Sequence, residues 1–425
     1  MLLLGFAAGL PLLMVFGTLS AWLREAGVSR TTIGFFSAVT FAYGLKFLWS
    51  PAVDRAPVPS LTRWLGRRRS WMLLAQILVA LGLVFMGLTD PRVDLASMAV
   101  FAAFVAFASA TQDIALDAYR IESAPDEMQG ATAATYSLGY RLGMLVAGAV
   151  PLYLADLASW TVAYCAMAAT MGVGAVVVLL APEAPPAPPA ERPDFGRIID
   201  ESVVQPFADF FRRHGWRLAI LALLFAATYR LADMVLGVMA IAFYKDLQFT
   251  NTQIASVSKL YGFAMTIAGG FLGGALVARW GALRTLLLGT LLSAATNLLF
   301  VWLAGTGPDI GVLAVVISAD NLAGGLASVA SIAFLSGLTS TAYTATQYAL
   351  LSAAVVESGR ALGMLSGWAV DKVGYEAFFL GTAALGIPSL LLGLALLRRL
   401  PESRLPEPGL PQPAAAGGPR AGHAS

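Results

Sequence analysis

The sequence predicts an all-α integral membrane protein with twelve transmembrane helices, arranged as two six-helix bundles that a cytoplasmic linker joins. Its 425 residues are 58% hydrophobic and only 12% charged, whereas soluble domains carry about 25% charged residues. Apolar runs of about 20 residues, the length that crosses a bilayer as a helix, recur along the chain. The predicted spans are 2–22, 31–50, 71–89, 96–118, 132–154, 159–181, 217–243, 252–277, 282–304, 310–337, 345–369 and 375–397.

A proline-rich stretch in the middle of the chain separates the first six spans from the last six. Residues 182–193 contain the prolines, and residues 194–213 then place apolar side chains at helical intervals between charges. That spacing is typical of an amphipathic helix lying on the membrane surface. We therefore predict four parts, of which the last is a disordered cytoplasmic tail rich in Pro, Ala and Gly. They are an N-terminal bundle (1–181), a linker (182–214), a C-terminal bundle (215–400) and the tail (401–425).

Arginine and lysine are distributed unevenly between the two sides of the predicted spans. Of the 27 basic residues, 17 fall in the termini and the even-numbered inter-helix loops, counting Arg217 and Arg284 at the very start of their spans with those loops, 5 in the odd-numbered loops and 5 deeper within spans. An excess of basic residues marks the cytoplasmic side of a membrane protein. The sequence therefore predicts a multi-pass protein with both termini in the cytoplasm. Residues 2–22 lack a basic leader, and we interpret them as the first span rather than as a cleaved signal peptide.

Cysteine and histidine are too scarce for several kinds of chemistry. The single cysteine, Cys165, excludes an internal disulfide, and His214 and His423 lie outside the spans. A histidine proton relay and a His-rich metal site within the membrane are thereby excluded. Because no nucleophile–base grouping, metal cluster or phosphate-binding loop is recognisable, we predict no enzyme activity, no metal and no cofactor. The basic residues lie in loops, so the formal net charge of +2 gives no reason to expect a nucleic-acid partner.

The fourth span carries two carboxylates on one face. Asp113 and Asp117 are four residues apart, so they share a helix face, and Gln112 lies beside them. A carboxylate at the centre of a bilayer costs about 2.5–3.5 kcal/mol on insertion scales, so two of them require a polar cavity or partners. One alternative is that Asp117 only pairs with Arg120 at the membrane edge, but this leaves Asp113 unexplained. We therefore predict that this face lines a polar pathway.

The other charges within spans follow two patterns. Beyond the first three residues of each span, they occur in spans 2, 4, 5, 7, 8, 10 and 11 and avoid spans 3, 6, 9 and 12, as expected if every third helix faces lipid. The two halves also echo each other, which predicts tandem repeats around a shared central cavity. The echoes are Lys46 with Lys259 (offset 213), Ser109-Ala-Thr-Gln with Ser318-Ala-Asp-Asn (offset 209) and Thr132-Ala-Ala-Thr-Tyr with Thr344-Ala-Thr-Gln-Tyr (offset 212).

Several strings in these spans resemble the AmpG muropeptide permeases of the major facilitator superfamily, and the resemblance covers nearly all of residues 4–400. Parts of the strings in spans 2 and 4 are also similar to acetyl-coenzyme A transporters and bacteriochlorophyll-linked major facilitator proteins. The strings in spans 5 and 11 favour the muropeptide branch. The strings are Leu4-Gly-Phe-Ala-Ala-Gly-Leu-Pro-Leu, Lys46-Phe-Leu-Trp-Ser-Pro-Ala-Val-Asp-Arg, Ser109-Ala-Thr-Gln-Asp-Ile-Ala-Leu-Asp-Ala, Leu138-Gly-Tyr-Arg-Leu-Gly-Met-Leu-Val and Ala345-Thr-Gln-Tyr-Ala-Leu-Leu-Ser-Ala.

The resemblance implies a major facilitator fold and a symporter in the bacterial inner membrane. It implies proton-driven import of N-acetylglucosamine–1,6-anhydro-N-acetylmuramic acid and its peptides from periplasm to cytoplasm. These wall fragments enter peptidoglycan recycling and feed β-lactamase induction in some bacteria. The resemblance also suggests that the loop between spans 2 and 3 latches helix ends, with simple positive-inside charge as the alternative. The latch residues would be Asp54, Arg55, Arg67 and Arg68.

Candidate residues for cargo and proton follow from the chemistry of a muropeptide, which has hydroxyls, amides and carboxylates. Cations suit its anionic ends, amides its polar groups, and tyrosine rings its sugars, although packing is the ordinary role of a ring. Proton coupling requires a desolvated carboxylate near a cation, and Asp113 ranks first because no cation lies within a turn of it on its own helix. The substrate-binding candidates are Lys46, Gln112, Tyr136, Tyr140, Arg141, Tyr229, Arg230, Lys259, Asn321 and Gln347. The proton-coupling candidates are Asp113, Asp117, Asp233 and Asp320.

Alternatives remain open for some of these residues and for the function. Arg230 with Asp233, and Glu357 with Arg360, have the spacing of simple ion pairs within one helix. Another anionic cargo, such as an acyl-coenzyme A, would keep the fold but would require more cations. A membrane assembly factor that does not transport is the alternative from another class. We expect a monomer whose partners are its cargo, protons and the lipid bilayer.

Overall fold

The computed structural model of the protein describes residues 1–125, 128–183, 205–339 and 344–399, and this part of the chain contains helices and turns but no strand. The first half contains α1 (Leu2–Val15), α2 (Gly17–Glu25), α3 (Arg30–Phe36), α4 (Phe41–Leu45), α5 (Ser50–Arg55), α6 (Leu61–Leu65), α7 (Arg67–Leu88), α8 (Leu95–Glu122), α9 (Gln129–Leu157) and α10 (Trp160–Leu180). Two 3₁₀ turns, Ser37–Thr40 and Lys46–Leu48, flank α4.

The second half begins with the described part of the linker and repeats the antiparallel order of the first. The predicted tail, 401–425, and the linker residues 184–204 lie outside the described residues. The helices are α11 (Gln205–His214), α12 (Trp216–Thr228), α13 (Leu231–Asp246), α14 (Asn251–Gln253), a π-helix (Ile254–Tyr261), α15 (Gly262–Trp280), α16 (Ala282–Thr306), α17 (Ile310–Leu338), α18 (Thr344–Gly363), α19 (Ser366–Ala384) and α20 (Gly386–Arg399).

Ten helical stretches of the described chain are long and apolar enough to cross a membrane. The all-α membrane fold predicted from composition is therefore confirmed. The second predicted span, 31–50, differs, because it consists of short α and 3₁₀ segments instead of one helix. Gly34, Gly44 and Pro51 lie in or beside this stretch, and both residue types weaken a helix interior. The predicted boundary between the last two spans coincides with Gly374, whose φ of 78° interrupts α19.

The first and seventh spans are each broken at an equivalent point. The chain leaves α-helical geometry at Phe16, between α1 and α2, where φ is −121° and ψ is −87°. In the second half α12 ends at Tyr229 and α13 begins after Arg230. Phe16 and Tyr229 are 213 residues apart, which is the offset that separates Lys46 from Lys259. The two halves therefore share the position of a helix break as well as the position of a lysine.

The helices α1 and α9 approach each other closely because small residues line their contact. A Cβ atom on Gly5 would lie 2.2 Å from the carbonyl oxygen of Tyr136, and one on Gly143 would lie 2.2 Å from that of Phe6. Such distances leave no room for a side chain, and small residues are the usual means of close helix packing in membranes. This contact fixes the orientation of α9, and with it the direction of Tyr136, Tyr140 and Arg141.

The two halves are held together at one end of the bundle, which we call the tied end. It comprises the helix ends around Glu25–Arg30, Asp246–Asn251 and Asp371–Tyr375, and it lies opposite Met1 and the linker. Ion pairs join the halves there, and Thr31 donates from both its backbone N–H and its hydroxyl to Asp371. The pairs are Arg24 with Asp246, Arg30 with Asp246 (2.8 Å), Arg30 with Asp371 (3.3 Å) and Lys245 with Glu25 (2.6 Å).

Candidate transport site

The carboxylates of α8 have different surroundings although they share a helix face. Asp113 is buried, with 8% of its surface exposed, and its Oδ1 has no hydrogen-bond partner among the described residues. Asp117 is more exposed, and its Oδ2 lies 3.4 Å from Nζ of Lys46, on the 3₁₀ turn that follows α4. The ion pair of Asp117 thus crosses between helices and does not involve Arg120. Asp113 is therefore a buried carboxylate to which no cation among the described residues is bonded.

Buried side-chain amides lie on the helices that pack around these carboxylates. Gln112, next to Asp113, is fully buried, and neither polar atom of its amide has a hydrogen-bond partner among the described residues. The same holds for Gln76 of α7, which packs against Gly174 and Ala7. Sequence analysis did not select Gln76, although a lone glutamine in an otherwise apolar span is a detectable signal. Unsatisfied buried amides of this kind indicate positions that ordered water or a bound ligand completes.

Three tyrosines surround Asp113. Tyr136 and Tyr140 of α9 lie close to Asp113 and Asp117, with ring centroids 6.3 Å apart. Tyr43 of α4 lies beside Ser109, one turn from Asp113 on α8. The sequence indicated the two tyrosines of α9 but not Tyr43, whose position three residues before Lys46 places it on the same helix face. Three tyrosine side chains from two helices therefore lie around the buried carboxylate.

The second half contributes a corresponding polar group. Nη2 of Arg230 lies 3.4 Å from Oδ2 of Asp233, as the ion-pair alternative expected. Asp320 of α17 lies near Asp233, and its Oδ1 lies 3.5 Å from the hydroxyl of Thr296. Asn321 is held locally, because its Oδ1 accepts a hydrogen bond of 2.8 Å from Thr266. Tyr229, at the helix break, is 4% exposed.

A charged pair of the second half reaches the first half near Lys46. Arg360 and Glu357 of α18 form an ion pair. The carboxylate of Glu357 lies against Gly44, where an added Cβ would be 2.1 Å from Oε1. Arg360 lies near Tyr43 and Tyr140. The pair therefore bridges the halves beside the carboxylate site of α8, which the sequence had not indicated.

Gln347 lies elsewhere, against the linker. Its Nε2 donates to Oδ2 of Asp209 at 3.0 Å, and its Oε1 accepts from Nη2 of Arg213 at 2.9 Å. Both partners belong to α11, whose Phe210 is 3% exposed within the second bundle. The amide predicted to bind cargo is thus engaged in docking the linker helix. We therefore leave Gln347 out of the proposed binding site.

Two glutamates, Glu122 and Glu183, connect the start of α7 to the ends of neighbouring helices. Arg68 is buried and donates to Glu122 at 2.5 Å and 2.9 Å, while Arg67 lies 3.9 Å from Glu122. The carboxylate of Glu183 accepts from the backbone N–H groups of Arg68 and Arg69, at the positive end of the helix dipole. This arrangement ties α7 to the ends of α8 and α10. The side chains of Asp54 and Arg55 lie outside the described residues.

The arrangement has the properties of an alternating-access site. Both halves carry ion pairs within their spans, Glu357 of the second half contacts Gly44 of the first, and further ion pairs join the halves at the tied end. Binding groups at the interface of two repeats, with one end of the bundle held shut, define a membrane transport protein.

Comparison with known proteins agrees with this class. The sequence model that describes the Major Facilitator Superfamily matches residues 1–238 and 222–421 of this chain. The "Anhydromuropeptide permease" of Escherichia coli (strain K12) is 38% identical over 395 residues, covering 92% of this chain and 78% of that protein. The "Putative transporter AmpG 4" of Rickettsia conorii is 35% identical over 394 residues, covering 92% of this chain and 94% of that protein.

Solved transporters share the fold at low sequence identity. A D-xylose–proton symporter superposes with a TM-score of 0.68 at 13% identity, covering 95% of this chain and 97% of its own. A bacterial homologue of the lysosomal transporter Spinster, in an inward-facing and unoccupied conformation, gives a TM-score of 0.67 at 14% identity, covering 96% and 98%. The chain belongs to the AmpG-type permeases of the Major Facilitator Superfamily, and it is a multi-pass membrane transporter rather than an enzyme.

Proposed function

We propose that the protein is a proton-coupled symporter that imports anhydro-muropeptides from periplasm to cytoplasm for peptidoglycan recycling. The cargo is N-acetylglucosamine–anhydro-N-acetylmuramic acid with or without its peptide. The observation that carries the cargo assignment is 38% identity, over 92% of this chain, to a protein named as an anhydromuropeptide permease. The polar groups of both halves support it, because a cargo with hydroxyls, amides and carboxylates requires donors, acceptors and cations together.

The direction of transport rests on the orientation that the arginines and lysines predict. With both termini in the cytoplasm of an inner membrane, the tied end faces the periplasm. The conformation described above is then closed toward the periplasm by the pairs that Asp246 forms with Arg24 and Arg30. Such a state releases cargo to the cytoplasm and must reopen at the tied end before the next cycle.

Asp113 is the residue we assign to proton coupling in the first half. Its carboxylate is 8% exposed, and the nearest cation, Lys46, is already paired with Asp117 at 3.4 Å. An uncompensated carboxylate is costly within a bilayer, and taking up a proton removes that cost. Proton binding at Asp113 therefore alternates with pairing to Lys46 as the two halves move. Asp117 competes with Asp113 for Lys46. When Asp117 holds the lysine, Asp113 takes up a proton, and when the lysine is released, Asp113 pairs with it.

Asp233 and Asp320 form the corresponding carboxylate pair of the second half. Arg230 compensates Asp233 at 3.4 Å, whereas Asp320 has the hydroxyl of Thr296 at 3.5 Å. One charged pair with a second carboxylate nearby repeats the pattern of Lys46, Asp117 and Asp113. We assign Asp320 the supporting coupling role on this basis.

The sugars of the cargo fit the side of the site formed by α8 and α9. Tyr136 and Tyr140 present ring faces near Asp113, and the buried amide of Gln112 lacks a partner among the described residues. Ring faces stack on sugar C–H groups, and an amide satisfies an acetamido group or a hydroxyl. The charged pair of Arg230 and Asp233 is the group of the second half that we assign to the anionic end of the cargo, with Tyr229 and Asn321 supporting it from behind.

Uptake into right-side-out membrane vesicles tests the proposal directly. Vesicles containing the protein should accumulate labelled anhydro-disaccharide when an inward proton gradient is imposed, and should only equilibrate it when the gradient is collapsed by a protonophore. Vesicles from the same strain without the protein provide the baseline. Uptake that ignores the gradient would contradict proton coupling, and absence of uptake by the folded protein would contradict the cargo.

A further inference from the structure

We call the contact between α9 of the first half and the helices that follow Asp246 in the second half the α9 seam. Its contacts succeed one another from the tied end inward. At its tied end, Oδ2 of Asp156 accepts from the backbone N–H of Thr252 at 2.6 Å and from its hydroxyl at 2.8 Å. One turn further, the hydroxyls of Tyr153 and Ser256 lie 2.7 Å apart. From the first contact to the second, the residue number falls along α9, from 156 to 153, and rises along the facing helix, from 252 to 256. The two helices therefore run antiparallel.

Lys259 lies at the inner end of the packed part of this seam. Its side chain crosses Gly148 of α9, where an added Cβ would be 3.4 Å from Cδ of the lysine. Lys259 belongs to the π-helix Ile254–Tyr261. A π-helix is uncommon and is often found at functional sites, because its wider turn redirects side chains. The last packed contact of the seam is therefore made by a lysine on an irregular helix.

Arg141 follows on the same face of α9. Arg141 is seven residues from Gly148, which is nearly two helical turns. The two positions therefore differ by only about 20° in direction and by about 10 Å along the helix axis. Because Gly148 faces the π-helix, Arg141 faces the second half as well and not the lipid. Arg141 is exposed, and so is Ile267, which the antiparallel register brings to about the same level (43% exposed). The seam is open at this level.

Within the described part of the chain, these two cations differ from the other span cations in having no hydrogen-bond or ion-pair partner. Lys46, Arg230 and Arg360 are paired with Asp117, Asp233 and Glu357 respectively. Lys259 and Arg141 make no hydrogen bond or ion pair with any residue in the described part of the chain. A cation within a bilayer is costly unless an anion or water compensates it. Two uncompensated cations on one open seam therefore indicate a place for an anion that the protein itself does not supply.

We infer that Lys259 and Arg141 form a two-point site for the carboxylates of a peptide-bearing cargo, an inference that rests on the proposed function. The lysine at the closed end of the seam acts as a compact point charge, and the arginine, about 10 Å along α9 from the glycine that the lysine crosses, offers a fork for a second carboxylate. An extended peptide of three to four residues spans that separation. The site orients the peptide along the α9 seam and leaves the sugars to the tyrosines near Asp113.

Binding to the purified full-length protein tests this inference with two forms of one ligand. The first is anhydro-disaccharide carrying a tripeptide with free carboxylates, and the second is the same compound with those carboxylates converted to amides. Lys259→Met and Arg141→Gln should each weaken the carboxylate form about tenfold or more, since each removes a charge-assisted contact, while the amide form should change less than about twofold. Lys259→Arg should retain the preference for carboxylates.

Lys372→Met is the matched control, because Lys372 is an exposed lysine at the tied end. It should leave both dissociation constants unchanged. Equal weakening of the two ligand forms by Arg141→Gln, or no weakening of either, would overturn the carboxylate assignment even if Lys259→Met failed to fold. If the unaltered protein bound neither form, the proposed function itself would fail, which is a different result from loss of selectivity.

Discussion

The carboxylate of Glu357 occupies the space beside Gly44, so that a Cβ at residue 44 would lie 2.1 Å from its Oε1. Glu357 belongs to the second half and Gly44 to the first, two residues before Lys46. The ion pair with Arg360 holds the carboxylate in that position. A contact this close between the halves, beside the carboxylate site of α8, makes Gly44 a position where one methyl group should disturb transport.

Gly44→Ala should lower the initial rate of cargo uptake severalfold, because the new methyl group must displace Glu357. Combining it with Glu357→Asp, which retracts the carboxylate by one methylene, should restore part of the rate. Gly172→Ala is the control, since no atom lies within 4 Å of a Cβ there. Uptake rates measured at equal protein amounts in vesicles decide the outcome. A double variant no faster than Gly44→Ala would show that the clash is not with Glu357.

Asp113→Asn should abolish accumulation of cargo against its gradient while leaving exchange of cargo across the membrane. The amide has the shape of the carboxyl group but cannot take up or release a proton, so cargo movement should no longer be coupled to proton movement. The measurement compares gradient-driven uptake with counterflow in the same vesicles. Asp90→Asn, at an exposed loop position, should affect neither. Uphill uptake at the normal level would remove Asp113 from the coupling role.

Asp246→Asn should open the tied end. Asp246 accepts from Arg30 at 2.8 Å and from the hydroxyl of Tyr375 at 2.7 Å, and it also pairs with Arg24. Burial acts to lower the pKa of Arg30, but its hydrogen bonds with Asp246 and Tyr375 raise it overall, so this guanidinium stays charged. Removing the shared anion leaves Arg24 and Arg30, two neighbouring cations of the first half, without the carboxylate of the second half that binds both.

Spin labels at Arg92 and Lys372, two exposed positions placed in a Cys165→Ser background, would measure that opening. The Asp246→Asn variant should show a larger share of long distances between the labels than the unaltered protein. Asp309→Asn provides a control, because Asp309 only caps the start of α17. An unchanged distance distribution would mean that the remaining contacts, Lys245 with Glu25 and Asp371 with Arg30 and Thr31, are sufficient to hold the tied end.

Arg213→Ala should release the linker helix α11 from the second bundle. Arg213 donates to Gln347 at 2.9 Å and to the carbonyl of Leu338 at 3.3 Å, and it pairs with Asp209. Hydrogen exchange of the amides in Gln205–His214 should accelerate by about tenfold, since hydrogen bonds to charged groups contribute about 1.5–3 kcal/mol. Arg212→Ala, the exposed neighbour, should leave exchange unchanged. Equal acceleration in both variants would assign the effect to lost charge alone.

The sequence by itself determined the membrane class and the family, and it predicted candidate residues for the site. Apolar runs of about 20 residues can only be satisfied in a bilayer by helices, and this prediction is confirmed by the described structure. The spacing of Asp113 and Asp117 placed both on one face because the helical period is local. The offset between Lys46 and Lys259 indicated a repeat for the same reason, since it requires only the order of the residues.

Only the tertiary structure decided which charges meet. Lys46 pairs with Asp117 instead of Asp113, Gln347 binds the linker helix, and Glu357 reaches Gly44 in the other half. Lys259 and Arg141 remain uncompensated on the α9 seam among the described residues. These relations join helices that are far apart in sequence, so they depend on the depth, rotation and close approach of packed helices. Hydropathy and helical period carry no information about those three quantities.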